Sequence, residues 1–131
     1  MKDRIKKLRN VIRTEKLDGI VITSRPNTLY FSGFAGSSSV IVITERKAFF
    51  STDFRYIEHA KELCGKYFTV EMCKKTTDEY LMEKLEELKL ENVGFEEQDV
   101  TQGRYSGWQK KAGCEFSGVQ SKLSKIRELK E

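Results

Sequence analysis

One proline, one tryptophan, one histidine and three cysteines are all that the 131 residues contain of these types. The single histidine, His59, excludes a histidine-rich metal centre. It also allows a Ser-His or Cys-His catalytic pair only if His59 is the base. Cys64, Cys73 and Cys114 are odd in number and widely spaced, and no CxxC pair is present. Zinc fingers and ribbons are thereby excluded, and three buried thiols in a reducing cytoplasm are expected. No apolar run approaches the ~20 residues needed to cross a bilayer. The first residues lack the apolar stretch of a signal peptide, so none is expected. With so little proline, and with Leu, Ile, Val and Phe recurring throughout, disorder is also excluded. A chain of this length buries roughly two-thirds of its unfolded surface, which suffices for one domain with its own core.

Charge is abundant, at 34% of residues, but unevenly placed. The first sixteen residues hold seven basic and two acidic side chains, a net of +5, whereas the rest nets −1. The basicity therefore belongs to one N-terminal segment. Such a segment can meet nucleic acid, anionic lipid or an acidic partner, or it can simply be the solvated face of an outer helix.

The pattern along the chain alternates between helix and strand. Ile5, Leu8, Val11 and Ile12 recur at helical spacing, predicting an amphipathic helix over 3–16. Asp18-Gly19 turns the chain into a β-branched run, 19–23, suited to a strand buried on both faces. Arg25-Pro26-Asn27 reads as a break, with Asn27 or Thr28 capping a short helical turn through Leu29, Tyr30 and Phe31. Residues 40–44 and 48–52 are strands joined by Glu45-Arg46-Lys47, which demands an antiparallel hairpin. Thr52 or Asp53 then caps a helix carrying Tyr56, Ile57, Ala60 and Leu63, which Gly65 ends. Phe68, Val70 and Met72 alternate as in a half-exposed strand.

A capping box, Thr76 to Glu79, opens a helix with Leu81, Leu85 and Leu88 on one face. A strand at 93–95, a helix from Thr101 holding Tyr105 and Trp108, a strand at 116–119 and a helix carrying Leu123, Ile126 and Leu129 complete the chain. The expected fold is a single α/β domain. Its sheet is mixed and mostly parallel, of about five to six strands flanked by helices, and contains one antiparallel hairpin. The sequence stops inside a charged helix, which suggests a piece of something longer.

Few groups offer chemistry. The loop Gly33-Phe34-Ala35-Gly36-Ser37-Ser38-Ser39 has the small residues and hydroxyls of an anion cradle. It lacks the following Lys-Ser/Thr and helix of a phosphate loop. No GxSxG elbow is present. Asp53 at a strand-to-helix junction caps the helix and leaves Arg55 to project a planar fork toward a carboxylate. Glu83, Glu86, Glu87, Glu91, Glu96 and Glu97, interleaved with Lys84 and Lys89, read mostly as a solvated helix face rather than a metal cluster. The residues alone reach a soluble α/β domain with no self-contained catalytic set.

Taken in order, several segments resemble the N-terminal domain of the creatinase/prolidase family. Leu17-Asp18-Gly19-Ile20-Val21-Ile22-Thr23 and Asn27-Thr28-Leu29-Tyr30-Phe31-Ser32-Gly33-Phe34 are similar to its opening. Gly36-Ser37-Ser38, Ile41-Val42-Ile43-Thr44 and Thr52-Asp53-Phe54-Arg55-Tyr56-Ile57-Glu58-His59-Ala60 resemble its next motifs. Val93-Gly94-Phe95-Glu96 and Leu123 to Lys130 resemble its later ones. Phe54, His59 and Phe31 stand where the family usually has Gly, Gln and Leu.

The resemblance implies a parent of the Xaa-Pro peptidase type, aminopeptidase P or proline dipeptidase, with creatinase as a relative. Catalysis would then belong to a C-terminal pita-bread domain absent from 1–131. Its Asp, Asp, His, Glu and Glu ligands would hold two divalent metals (Mn, Co or Zn). This chain would carry no catalytic residue, metal ligand or cofactor of its own. It would support a homodimer and lend Phe34, Ala35, Gly36, Ser37, Ser38, Arg55 and Tyr56 to the rim of the partner subunit's active site. Its partners would be its own catalytic domain, a second copy and a proline-containing peptide substrate, in the cytoplasm, without nucleic acid or membrane. The alternative is a free-standing anion- or nucleic-acid-binding module using the basic helix or the Gly33–Ser39 loop.

Overall fold

The computed structural model describes residues 2–36 and 38–128. The elements, in order, are α1 (Lys2–Thr14), β1 (Gly19–Ile22), α2 (Arg25–Ser32), β2 (Val40–Thr44), β3 (Ala48–Thr52) and a 3-10 turn (Phe54–Tyr56). There follow α3 (Ile57–Cys64), β4 (Thr69–Met72), α4 (Thr77–Glu87), β5 (Asn92–Phe95), α5 (Gln102–Lys111), β6 (Glu115–Gly118) and α6 (Gln120–Glu128). The strands form one six-stranded sheet in the order β4-β3-β2-β1-β5-β6. The hairpin pairs Val40 with Ser51 and Ile43 with Ala48. β2 also runs antiparallel to β1, while the β1–β5, β3–β4 and β5–β6 pairs are parallel. The sheet is therefore mixed and mostly parallel, and β2 is its one reversed strand.

Alternation along the central strands divides the core into two layers. Ile20, Ile22, Ile41, Ile43 and Phe50 face α1, α2, α3 and α6, where they meet Leu8, Ile12, Phe31, Ala60 and Leu123. Val21, Val42, Phe49, Val93 and Phe95 face α4 and α5 and meet Leu81, Leu85 and Trp108. Each Val, Leu, Ile or Phe among them contributes about 1.5–3 kcal/mol on burial.

Four sequence expectations change. Arg25-Pro26 begins α2 rather than breaking the chain. Ser24 is the cap, its Oγ accepting from the Asn27 N–H at 3.3 Å, and proline is tolerated in a first turn whose N–H groups need no helical partner. Asn27 and Thr28 are therefore buried helix residues. Lys84 leaves the solvated face and is buried, its Nζ 2.9 Å from both Glu71 and Glu87 and 4.3 Å from the centre of the Phe49 ring. Leu63 turns outward, and of the three thiols only Cys64 is fully buried. Leu129 lies outside the described residues, so the last helical stripe consists of Leu123 and Ile126.

Candidate functional site

Because β2 is reversed, its first residue lies at the same end of the sheet as the last residues of its neighbours β1 and β3. The 33–39 loop that feeds β2 thus stands beside Asp53–Tyr56, which follows β3. Gly33 closes α2 with φ 88°, a left-handed conformation that glycine adopts without a Cβ clash, and its N–H donates to the Leu29 carbonyl at 2.8 Å. The chain then lays Phe34 against Tyr56, His59 and Phe50, with ring centres 5.9, 5.1 and 6.0 Å away. Gly36 lies flat on the Tyr56 ring; a Cβ there would come 2.7 Å from Cδ2.

Internal hydrogen bonds fix the loop. The Phe34 N–H donates to Ser32 Oγ at 3.1 Å, and the Gly36 N–H to Ser39 Oγ at 3.0 Å. Ser39 Oγ, nearly buried, in turn donates to the buried Thr52 Oγ1 at 3.1 Å. Two amides of the expected anion cradle are therefore already satisfied within the chain. Exposed Ser38 takes a left-handed φ of 65°. Ser37 lies outside the described residues. Ala35, Gly36 and Ser38 border an open cleft of about 340 Å³, with Thr23, Arg25 and Arg104 opposite.

Arg55 does not project alone. Its Nε and Nη2 lie 3.1 and 2.9 Å from the two Asp53 carboxylate oxygens, a two-pronged pair closed within one turn. Asp53 also accepts from the Arg55 N–H at 3.0 Å, as a cap should. The hydrogen bond from the Arg55 side chain holds Asp53 below the usual carboxylate range, and the guanidinium is raised in return. Next to this pair Phe54 is 72% exposed.

The structure thus gathers Phe34, Gly36, Arg55 and Tyr56 into one braced patch, with Ala35 and Ser38 on its open side. His59 lies edge-on to Phe34, and among the described residues no serine or cysteine is hydrogen-bonded to it. No three His, Cys, Asp or Glu side chains come together to hold a metal ion among the described residues. The patch offers shape, aromatic surface and a charged pair.

Like Lys84, a second charged group expected at the surface lies inside. Glu96, grouped by sequence with solvated carboxylates, is wholly buried. Oε1 accepts from the Thr23 and Ser24 N–H groups at 2.7 and 2.9 Å, and Oε2 from Ser24 Oγ and Asn27 Nδ2 at 2.6 and 2.7 Å. Asn27 Oδ1 accepts from Arg127 at 3.2 Å. This chain of contacts ties the ends of β1 and β5 to α2 and α6. The signal available in the sequence was an acid placed directly after the apolar run Val93-Gly94-Phe95, at a strand end and not on a helix.

Comparison with known proteins agrees with this architecture. The profile of the Creatinase/Prolidase N-terminal domain matches residues 4–129. The uncharacterized peptidase YqhT of Bacillus subtilis is 33% identical over 97% of this chain and 36% of its own length. The Xaa-Pro dipeptidase from Bacillus anthracis superposes with a TM-score of 0.90 at 26% identity, over 99% of this chain and 36% of its own. The N-terminal domain of the cytoplasmic peptidase PepQ from Mycobacterium tuberculosis superposes with a TM-score of 0.84 at 25% identity, over 95% of this chain and 98% of that one. The chain thus spans little more than a third of the two Bacillus relatives. In sequence and in fold, it belongs to the creatinase/prolidase N-terminal domain family.

Proposed function

We propose that this chain is the non-catalytic N-terminal domain of a metal-dependent Xaa-Pro peptidase, a proline dipeptidase or an aminopeptidase P, acting in the cytoplasm. In this reading hydrolysis of proline-containing peptides belongs to a C-terminal pita-bread domain carrying two divalent metals (Mn, Co or Zn). Residues 1–131 support the homodimer. They also present Phe34, Ala35, Gly36, Ser37, Ser38, Arg55 and Tyr56 at the rim of the partner subunit's active site.

The observation that carries the reading is the bracing of Phe34 and Gly36, with Ala35 and Ser38 beside them. The pair is held on the Tyr56 ring and by Ser39, yet open on the side of Ala35 and Ser38. A loop fixed at its base and exposed at its edge can close a dipeptide-sized cleft without a large ordering cost. Arg55, already shaped to a carboxylate by Asp53, has the geometry to exchange that partner for a substrate carboxylate.

The test uses mixed dimers of the longer polypeptide. One subunit carries Tyr56→Ala with an intact catalytic half; the other carries an intact rim with an inactivated catalytic half. If the rim acts across the dimer, the mixed species hydrolyses a Xaa-Pro dipeptide at nearly the rate expected for one good site. Loss of activity in the mixed dimer would overturn the rim assignment. Hydrolysis of that dipeptide by residues 1–131 alone, with Mn²⁺ or Co²⁺ added, would overturn the non-catalytic assignment.

A further inference from the structure

Arg4, Arg25 and Arg127 come from α1, α2 and α6 and line one open cleft of about 640 Å³. Neutral groups hold two of them in place. Arg4 Nη1 donates to the Tyr30 carbonyl at 2.7 Å, and its Cζ stands 4.0 Å from the centre of the Tyr30 ring. Arg127 Nη1 donates to Asn27 Oδ1, and its Cζ lies 5.8 Å from that same ring. Among the described residues, these contacts position the guanidiniums but leave their charge uncompensated and most of their N–H donors unused. Arg25 is exposed in the first turn of α2. Among the described residues, no carboxylate forms an ion pair with any of the three. The rest of the lining is Pro26, Tyr30 and Leu29, the last 52% exposed.

We propose that this cleft binds a carboxylate-bearing protein segment, its acidic side chains on the guanidiniums and an apolar side chain on Leu29. Three guanidiniums gathered with no counter-charge among the described residues repel one another, and a ligand that neutralises them gains what the fold forgoes. The planar fork matches a carboxylate bidentately. The apolar lining asks for a ligand with an apolar group beside its charges, which a phosphate chain lacks. A nucleic-acid base would need the Tyr30 ring, which Arg4 already covers and whose neighbour Phe31 packs against it edge-on at 4.9 Å. The proposal does not depend on the peptidase reading.

The N-terminal domain of the mycobacterial relative exists as a solved chain of matching extent, so residues 1–131 can be studied alone. The ¹⁵N-labelled chain is titrated with the capped peptide acetyl-Glu-Glu-Leu-Glu-Glu-amide at low salt. Saturable shifts are expected at Arg25, Leu29 and Tyr30 and at the Nε signals of Arg4 and Arg127. Arg25→Glu, at an exposed position with no partner to lose, should weaken binding roughly tenfold; Arg4→Gln should act in the same direction. Any of four results overturns the proposal. These are no saturation, an affinity unchanged by Arg25→Glu, shifts confined to the Lys2–Arg13 face of α1, or equal or tighter binding by inorganic phosphate or phosphatidylserine vesicles.

Discussion

Replacing Glu96 by glutamine keeps the volume and removes the charge from the buried hub. Each carboxylate oxygen accepts two donors, so four charge-assisted hydrogen bonds are at stake. A glutamine offers one acceptor oxygen and one NH₂. If the oxygen stays with the Thr23 and Ser24 amides, the NH₂ faces Ser24 Oγ and Asn27 Nδ2. The serine hydroxyl can turn and accept. Asn27 can accept only by rotating its amide, which sets its own NH₂ against Arg127. One contact therefore becomes donor against donor, and the others fall from charged to neutral strength. With hydrogen bonds to charged groups worth about 1.5–3 kcal/mol and neutral ones about 1, the expected loss is about 3 kcal/mol. For a domain of this size that is a fall in Tm of about 10 °C. Urea unfolding should show a lower midpoint at unchanged m. In the Glu96→Gln background, Asn27→Ala should cost about 1 kcal/mol less than in the parent, because its contact is already spoiled. A loss below about 1 kcal/mol, or strict additivity with Asn27→Ala, would refute the hub.

Other perturbations have defined outcomes. Gly36→Val drives a side chain into the Tyr56 ring and should displace the 33–38 loop, visible as altered Tyr56 and Phe34 ring shifts, while the Tm falls by only a few degrees. Tyr80, whose hydroxyl lies 2.6 Å from Glu71, is raised above its ordinary pKa of 10.0, chiefly by burial. Lys84 is raised above 10.5 because its bonds to Glu71 and Glu87 outweigh desolvation. Both groups hold their protons more tightly when folded, so their stabilisation is complete below about pH 10 and declines as pH rises above it. Tyr80→Phe should therefore flatten the alkaline arm of a stability–pH curve measured by urea unfolding; an unchanged slope would contradict the assignment. Cys64, buried and pushed up to about 11, should resist iodoacetamide at neutral pH, while Cys73 is modified first and Cys114, half-buried and also raised by burial, more slowly, as read by peptide mass spectrometry.

The hydrophobic record of this sequence was sufficient for most of the fold. The β-branched runs at 19–23 and 40–44 and the three-residue turn at 45–47 carry the central strands, because burial on both faces demands such runs. What the pattern did not carry were the places where polar groups are buried. Glu96 and Lys84 look like solvated charges because sequence spacing cannot show that Thr23, Ser24 and Asn27, some seventy residues earlier, converge on one, or that Phe49 and Glu71 enclose the other. The start of α2 was misread for a local reason: Pro26 signals a break or a first turn equally well, and only the Ser24 cap decides. At the candidate site the ingredients, Phe34 to Ser38 and Arg55-Tyr56, were visible. That Gly36 lies on Tyr56, and that Asp53 occupies the Arg55 fork, follow from the reversed strand and the 3-10 turn, which no single-residue signal announces.

The reversal of β2 also decides what lies at the other end of the sheet. Its far end, the Glu45–Lys47 turn, borders a shallow hollow shared with Asp18 and Leu88–Leu90, away from the loop, the Asp53–Arg55 pair and Glu96. A fluorophore, an affinity tag or a tether to a solid support placed at Arg46 would leave the opposite end of the sheet unobstructed. Anchoring the molecule there holds the domain by the end of the sheet opposite the loop, the Asp53–Arg55 pair and Glu96.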